Sequence, residues 1–140
     1  MKMGKINLNI GDEFVFTKTV GESDVYLFAG ITGDFTPNHI DEEFMKKTPY
    51  KTRMAHGVLS IGFASTTAGM AVEKAKQVSV SYGYDGIRFL KPVFIGDTLT
   101  TVYTVAEIDE ESLKMIAKIE IFNQNKELVT VAKHIEKFFI

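Results

Sequence analysis

The sequence predicts an α+β domain in which an antiparallel sheet wraps around one long helix. Helical patterns are concentrated in the first half of the chain, and period-two strand patterns fill the second half. Between them, residues 57–72 contain no charged side chain. A helix without charges over sixteen positions is expected to be enclosed on most sides, and the sheet would enclose it.

The first predicted elements are a strand and a helix. Residues 11–20 alternate apolar and polar side chains, which is typical of a strand. Apolar residues then recur at helical spacing within residues 23–33. Ser23 is the expected N-cap of this helix. Gly33 is expected to end it, because glycine adopts the left-handed conformation of a helix C-terminus without strain.

Two further helices are expected before the sheet. Asp41 is expected to cap a short helix over residues 41–47, which is acidic at its start and has lysines near its end. The longest helix is expected from Gly57 to about Ala75. Several of its residues are small, so a sheet could approach it closely.

The second half of the chain predicts antiparallel strands joined by short polar turns. The candidate strands cover residues 77–83, 85–94, 97–108, 113–123 and 128–139. In the fourth strand, apolar residues alternate with mostly charged ones, so one face of the sheet is expected to be buried. Its buried face is expected to consist of Met115, Ala117, Ile119 and Ile121.

Length and composition indicate one soluble globular domain over residues 1–140. Apolar residues make up 45% of the chain and charged residues 24%, and no repeat or linker divides it. A net charge of -2 gives no reason to expect a nucleic-acid partner. The chain has no cysteine, which excludes disulfides, thiolate metal sites and a cysteine nucleophile. No segment predicts a signal peptide or a membrane span, so a cytoplasmic protein is expected.

The segment "GDFTPNHID" at residues 33–41 is the first candidate for chemistry. Asp34 and His39 lie five positions apart, and Pro37 stiffens the chain between them. A carboxylate and a neutral imidazole that face one cleft could hold and polarise a water molecule. Such a pair can act in general acid–base catalysis. The alternative is an ordinary surface turn, because Asp, Thr, Pro and Asn are the commonest turn residues.

The second candidate is the pair His56-Gly57 at the start of the long helix. The first N–H groups of a helix have no partner within it, and glycine lets a ligand carbonyl come close to them. Gly57 could equally be an ordinary helix start. Ser65, eight positions on, is expected to be a buried serine that hydrogen-bonds its own helix backbone. A metal site of Asp34, His39 and His56 is disfavoured, because the spacing lacks a short ligand motif.

Residues 32–65, "TGDFTPNHIDEEFMKKTPYKTRMAHGVLSIGFAS", resemble the signature segment of the MaoC-like hydratases, the R-specific enoyl-CoA hydratases. The family pattern is Gly-Asp-x-Asn-Pro-x-His, followed after about 16 residues by a His-Gly that opens the central helix. The downstream segment "PVFIGD" at residues 92–97 also resembles the family, so the resemblance covers nearly the whole chain.

The resemblance implies a hot-dog fold, a homodimer or a dimer of dimers, and reversible addition of water to trans-2-enoyl-CoA. It implies that Asp34 and His39 bind the reacting water and that the backbone N–H of Gly57 holds the thioester oxygen. Ser65 matches a serine that the family often has near the aspartate. No cofactor is expected, since the thioester itself accepts the electrons. No membrane partner is expected.

The chain departs from the family pattern between the two catalytic positions. Thr36 replaces the asparagine of the motif, and Asn38 stands where the family usually has an aliphatic residue. Threonine can still donate and accept a hydrogen bond. Thr36 and Asn38 are therefore expected to form a changed supporting shell around an intact site, with an altered substrate preference.

Basic residues near the motifs are candidates for binding the CoA phosphates, although most basic clusters are solvated surface. These candidates are Lys46, Lys47, Lys51, Arg53, Arg88 and Lys91. Two other functions remain open. A hot-dog acyl-CoA thioesterase would direct water at the carbonyl carbon. A non-catalytic acyl-CoA-binding protein would bind the thioester without catalysing a reaction.

Overall fold

A five-stranded antiparallel sheet and one nineteen-residue helix make up most of this computed structural model, which describes residues 4–140. The strands are β1 (Glu13–Thr19), β2 (Val78–Phe89), β3 (Thr98–Asp109), β4 (Lys114–Phe122) and β5 (Leu128–Phe139). The helices are α1 (Glu22–Thr32), α2 (Pro37–Ile40), α3 (Glu42–Met45) and α4 (Gly57–Ala75). The predicted α+β class and the predicted long helix are confirmed.

The strand order in the sheet is β1-β3-β4-β5-β2. Strands β3, β4 and β5 form a meander through two short turns, whereas β1 and β2 lie at the two edges. This order places β2, which directly follows α4 in the chain, at the edge beside β5. The C-terminal strand, β5, therefore lies between β4 and the twelve-residue edge strand β2.

The core lies between the sheet and one face of α4. The predicted inner face of β4 is confirmed, because Met115, Ala117, Ile119 and Ile121 are all fully buried. On the helix side, the buried face consists mostly of alanines around Phe63. Small helix side chains let the sheet approach the helix backbone, so large sheet residues fill most of the core.

The expectation that α4 is enclosed on most sides is wrong for the described chain. The sheet covers one face of α4, and the opposite face is open over Val58, Gly62, Ser65, Thr66 and Gly69. The uncharged outer face of the helix is therefore not explained by burial within this chain.

Two local predictions are also wrong. Helix α1 is capped by Gly21 instead of Ser23, because the Asp24 carboxylate reaches back to accept a hydrogen bond from the Gly21 N–H at 2.8 Å. The two candidate strands 77–83 and 85–94 are replaced by one strand, β2, which ends at Phe89, so residues 90–94 lie outside it. Its register against β5 shifts twice, and Gly86 at φ +61° lies in one of these irregularities, which interrupt the period-two pattern.

We expect replacement of Ile119 by alanine to lower the free energy of unfolding by about 2–5 kcal/mol, because it would leave a cavity in the centre of the sheet. Urea unfolding at one fixed protein concentration measures the change. The matched control is Ile31→Ala, since Ile31 is 82% exposed and its truncation should change stability by less than about 0.5 kcal/mol. Equal losses in the two variants would contradict this core.

Candidate active site

The loop between α1 and α2 brings the first candidate residues together. Gly33 ends α1 in the left-handed conformation, φ +82°, as predicted, and its N–H donates to Ala29 O at 2.8 Å. Asp34 follows at once. Thr36 precedes the first turn of α2, which begins at Pro37 and contains His39. The chain thus turns back so that residues 34 and 39 meet in space.

The Asp34 carboxylate is held by Thr36. Its Oδ1 accepts hydrogen bonds from the Thr36 hydroxyl at 2.5 Å and from the Thr36 N–H at 3.2 Å. These bonds, the hydroxyl first, hold the pKa of Asp34 below its usual range, with a smaller contribution from the charges of the nearby histidines. The carboxylate is therefore ionised at neutral pH, and Oδ2 remains available on its partly exposed side.

His39 is held in one tautomer by a backbone carbonyl. Its Nδ1 lies 2.7 Å from Met54 O, and a carbonyl oxygen can only accept a hydrogen bond. Nδ1 therefore carries the proton, and Nε2 has a free lone pair. Met54 is itself fixed, because its N–H donates to Asn38 O at 2.9 Å. Asn38 thus supports the site through its backbone, while its side chain is exposed.

His56 lies beneath both candidate catalytic residues. It is almost fully buried, and its ring stacks on that of His39 with the ring centroids 3.8 Å apart. Its Nε2 lies 3.0 Å from Asp34 O, so Nε2 carries a hydrogen and donates a hydrogen bond to that carbonyl. His56 therefore fixes the backbone of Asp34 and the plane of His39. Sequence reasoning treated it only as a flanking residue or a metal ligand, because a stacking partner leaves no spacing pattern.

Gly57 begins α4 as predicted, and it borders a pocket of about 380 Å³. The pocket is also lined by His39, Tyr50, Phe89 and Lys91. A Cβ added at Gly57 would lie 3.2 Å from the Phe89 ring, so only glycine fits here without displacing that ring. As the first residue of the helix, Gly57 has an N–H without an acceptor inside α4. The pocket therefore combines a helix N-terminus with the imidazole of His39.

The same three residues form a cluster close enough for a metal ion. Asp34, His39 and His56 each offer one ligand atom, and these atoms lie within 4.8 Å of one another. However, the ring nitrogens that face Met54 O and Asp34 O carry protons and cannot be ligands. One lone pair per ring remains, and that of His56 is buried. The arrangement fits an acid–base site better than a metal centre.

Ser65 lies away from this pocket. It is exposed on α4 and lines a different groove, with Tyr84 and His134, so the expectation of a buried serine is wrong. Ser60 is the buried serine of the helix start instead. Its hydroxyl donates to Gly57 O at 2.7 Å and lies 3.1 Å from the Thr130 hydroxyl. The first turn of the helix is thereby tied to β5.

Arg53 is already engaged by acidic residues. Its guanidinium contacts Glu22 at 2.6 Å, Glu42 at 3.4 Å and the Tyr26 hydroxyl, and its side chain is mostly buried. The hydrogen bond from Arg53 is the first cause that holds the pKa of Glu22 below its usual value. Arg53 therefore fastens α1 to α3 on either side of the loop that carries Asp34.

The other basic candidates are distributed over the surface, and one of them borders the pocket. Lys91 lines it and pairs with Glu127. Lys46 pairs with Glu43 at 2.8 Å, and the exposed Arg88 donates to Ile87 O. Lys47 and Lys51 are exposed.

Comparison with known proteins places the chain in a family. Residues 6–127 match the MaoC-like domain. The chain belongs to the MaoC-like domain family. It is 40% identical over 101 residues to the (R)-specific enoyl-CoA hydratase of Rhodospirillum rubrum, a match covering 72% of this chain and 68% of that protein. It is 36% identical over 105 residues to the 3-hydroxybutyryl-CoA dehydratase of Methylorubrum extorquens, covering 75% and 65%.

A solved structure of a MaoC-like relative shows the same architecture. The (R)-hydratase from Aeromonas caviae, described as involved in PHA biosynthesis, superposes with a TM-score of 0.81 at 27% identity, over 93% of this chain and 96% of that chain. The predicted family, the hot-dog fold and the predicted enzyme class, a hydro-lyase, are thereby confirmed. No helix among residues 4–140 is long and apolar enough to cross a membrane, and the cytoplasmic location stays a prediction.

We expect Thr36→Val to raise the pKa of Asp34, because it removes the hydroxyl donor that stabilises the ionised carboxylate. A pH titration of the Asp34 carboxyl carbon by NMR measures the shift. Thr36→Ser keeps the hydroxyl and is the matched control, for which the pKa should stay near that of the unmodified protein. An unchanged pKa in Thr36→Val would contradict the assigned hydrogen bond.

Proposed function

We propose that this MaoC-like protein is an R-specific enoyl-CoA hydratase that adds water reversibly to trans-2-enoyl-CoA. In the reverse direction it would dehydrate R-3-hydroxyacyl-CoA. One observation carries the proposal: His39, whose Nδ1 donates to Met54 O, keeps its Nε2 lone pair available close to the ionised Asp34. The names of the R. rubrum and M. extorquens relatives support the substrate class and the reaction.

Substrate activation begins at the start of α4. The thioester carbonyl of the substrate would accept a hydrogen bond from the Gly57 N–H, where the positive end of the helix dipole also stabilises negative charge. Polarisation of this carbonyl withdraws electrons from the conjugated double bond. Carbon C3 of the enoyl group then becomes electrophilic.

Asp34 and His39 would activate the water molecule. Their nearest ligand atoms lie within 4.8 Å of each other, a distance that one water molecule can bridge with hydrogen bonds of ordinary length. In hydration, this pair removes a proton from the water as its oxygen bonds to C3. The pair then delivers a proton to C2, so that water is added across the double bond and both residues return to their starting states.

His56 would hold Asp34 and His39 in position without contacting the substrate. Its Nε2–H holds the Asp34 carbonyl, and its ring supports the ring of His39. Lys91 is the best placed of the basic candidates to meet a CoA phosphate, because it borders the pocket that contains His39 and Gly57. The other basic candidates are weaker, and Arg53 is the weakest because acidic partners already neutralise it.

We expect Asp34→Asn and His39→Ala each to lower kcat for crotonyl-CoA hydration by about 100-fold or more, because each removes one half of the acid–base pair. Loss of the enoyl-thioester absorbance measures hydration. Asp109→Asn, at the exposed end of β3, is the control and should keep its activity. Circular dichroism shows whether each variant is folded. Near-full turnover by either active-site variant would contradict the roles assigned here.

The same assay separates the two rival functions. Release of free thiol together with loss of substrate would show a thioesterase. Measurable binding without loss of absorbance or release of thiol would show a non-catalytic acyl-CoA-binding protein. Loss of absorbance without thiol is the result expected of a hydratase.

We also propose that the protein works as a homodimer that pairs along β2. This strand lies at an edge of the sheet, and its side chains Val78, Val80 and Tyr82 are exposed. A long edge strand with exposed apolar residues is a template for pairing with another chain. The open, uncharged face of α4 lies next to β2 in the chain and would be covered by the same partner.

We expect Val80→Lys to shift the protein from dimer toward monomer in analytical ultracentrifugation, because it places a charge on the pairing edge. Val15→Lys is the matched control, since Val15 is similarly exposed on β1, at the opposite edge of the sheet. A dimer that persists in Val80→Lys, or that dissociates only in Val15→Lys, would contradict pairing along β2.

A further inference from the structure

The ring of Phe89 lies directly against Gly57, the residue whose N–H would bind the thioester oxygen. If Gly57 carried a Cβ, its three nearest neighbours would be Cγ, Cδ1 and Cδ2 of Phe89, each 3.2 Å away. Carbon atoms in favourable van der Waals contact lie about 3.5–4.0 Å apart. The Phe89 ring therefore occupies the space that a side chain at position 57 would need.

The backbone at position 57 does not itself require glycine. Gly57 is not among the glycines with positive φ in residues 4–140, which are Gly11, Gly33, Gly86 and Gly96. It belongs to α4, and L-residues adopt the helical conformation readily, alanine best of all. The need for glycine at this position therefore comes from the neighbouring ring.

The other side of the Gly57 peptide is held by two hydroxyl groups. The Ser60 hydroxyl donates to Gly57 O at 2.7 Å and lies 3.1 Å from the Thr130 hydroxyl. Thr130 on β5 is the direct register partner of Phe89 on β2, and side chains of paired residues lie on the same face of a sheet. This one pair of strand residues therefore supports the start of α4 twice, through the ring of Phe89 and through the hydroxyl of Thr130.

Phe89 belongs to the active-site pocket more than to the core. It is 50% exposed, whereas the core residues Phe14, Phe63 and Phe138 are at most 9% exposed. A half-exposed ring gains only part of the stabilisation that full burial gives. Phe89 lines the same pocket as His39 and Gly57. The position of this ring is therefore better explained by the pocket than by packing of the core.

The ring limits how a thioester can reach the Gly57 N–H. It fills the side of Gly57 on which a side chain would lie, so the carbonyl oxygen must approach from the side that the ring leaves open. An apolar ring also excludes water from its side of the bound carbonyl. A hydrogen bond to an oxygen that gains negative charge is stronger where water is excluded.

We propose that Phe89 is a positioning residue of the hydration reaction and that it acts through Gly57. Its ring fixes the first peptide of α4 from one side and restricts the thioester carbonyl to one approach to the Gly57 N–H. The inference rests on the proposed hydratase function, because that function places the carbonyl at Gly57. Phe89 itself takes no part in bond formation or proton transfer.

A double-mutant cycle between positions 57 and 89 tests the inference. Gly57→Ala should lower kcat for crotonyl-CoA hydration by about 100-fold, the effect of losing one oxyanion donor, because the added methyl group and the ring cannot both keep their places. In the Phe89→Ala background, Gly57→Ala should cost at least about 5-fold less, since the ring is gone. Phe89→Ala alone should lower kcat more than it raises KM, because the bond to the oxygen strengthens in the transition state.

Two further variants are the controls. Phe89→Tyr keeps the ring and adds its hydroxyl at the end opposite to the Cγ and Cδ atoms that face Gly57, so it should keep kcat. Phe44→Ala removes a similarly exposed ring, 48%, from α3 and outside the lining of the pocket, and should keep kcat and KM. Circular dichroism shows whether each variant is folded. Analytical ultracentrifugation at the assay concentration shows whether it stays a dimer, because β2 is the proposed pairing strand.

The outcomes distinguish this inference from the function on which it rests. If the unmodified protein hydrates no enoyl-CoA, the proposed function fails, and the inference fails with it. If the protein is a hydratase but Gly57→Ala costs the same with and without the Phe89 ring, the inference alone is overturned. It is also overturned if Phe89→Ala keeps full kcat, or if its loss of activity is accounted for by a loss of folded protein or of dimer.

Discussion

Two hydrogen bonds from histidine rings to backbone carbonyls hold the loop of Asp34 against the start of α4. His39 donates to Met54 O, and His56 donates to Asp34 O. Each bond joins segments that are more than a dozen residues apart, and each also selects the tautomer of its ring. The same two bonds therefore set the positions and the tautomers of the His39 and His56 rings. The N-terminus of α4 lies close to His39, whose hydrogen is on Nδ1.

The rest of the fold supports this junction from both sides. The Ser60 hydroxyl ties the first turn of α4 to Thr130 on β5, and the ladder from β5 to β3 fixes that strand in the core. On the other side, Arg53 joins α1 to α3. The exposed loop that carries Asp34 thus begins and ends in fixed elements, so Asp34 can remain accessible to substrate without losing its orientation.

The sequence predicted those parts of the structure that local pattern determines. The inner face of β4, the end of α1 at Gly33 and the start of α4 at Gly57 each follow from side-chain periodicity or glycine geometry, and all three were correct. The errors at Ser23 and β2 arose where a nearby side chain or an irregularity in the strand overrides the pattern. The error at Ser65 arose because the sheet leaves that face of α4 open. The stacking of His56 on His39 could not be predicted, because contacts between distant segments leave no periodic signal. At Thr36 the sequence predicted a residue that can donate or accept a hydrogen bond in the supporting shell, and the structure shows that its hydroxyl donates to Asp34.

Two of the three histidines, His39 and His134, differ in burial and in their hydrogen-bond partners. His39 is half-buried, and its Nδ1–H donates to Met54 O, so its other ring nitrogen faces away from that carbonyl. His134 is fully buried, and its two ring nitrogens lie within hydrogen-bond distance of the Tyr103 and Ser81 hydroxyls. The two residues are of the same type, so the difference between His39 and His134 comes from their burial and their hydrogen bonds. A sheet that covers one face of a helix can thus hold a partly exposed histidine near the start of that helix and a fully buried one further along the same strands.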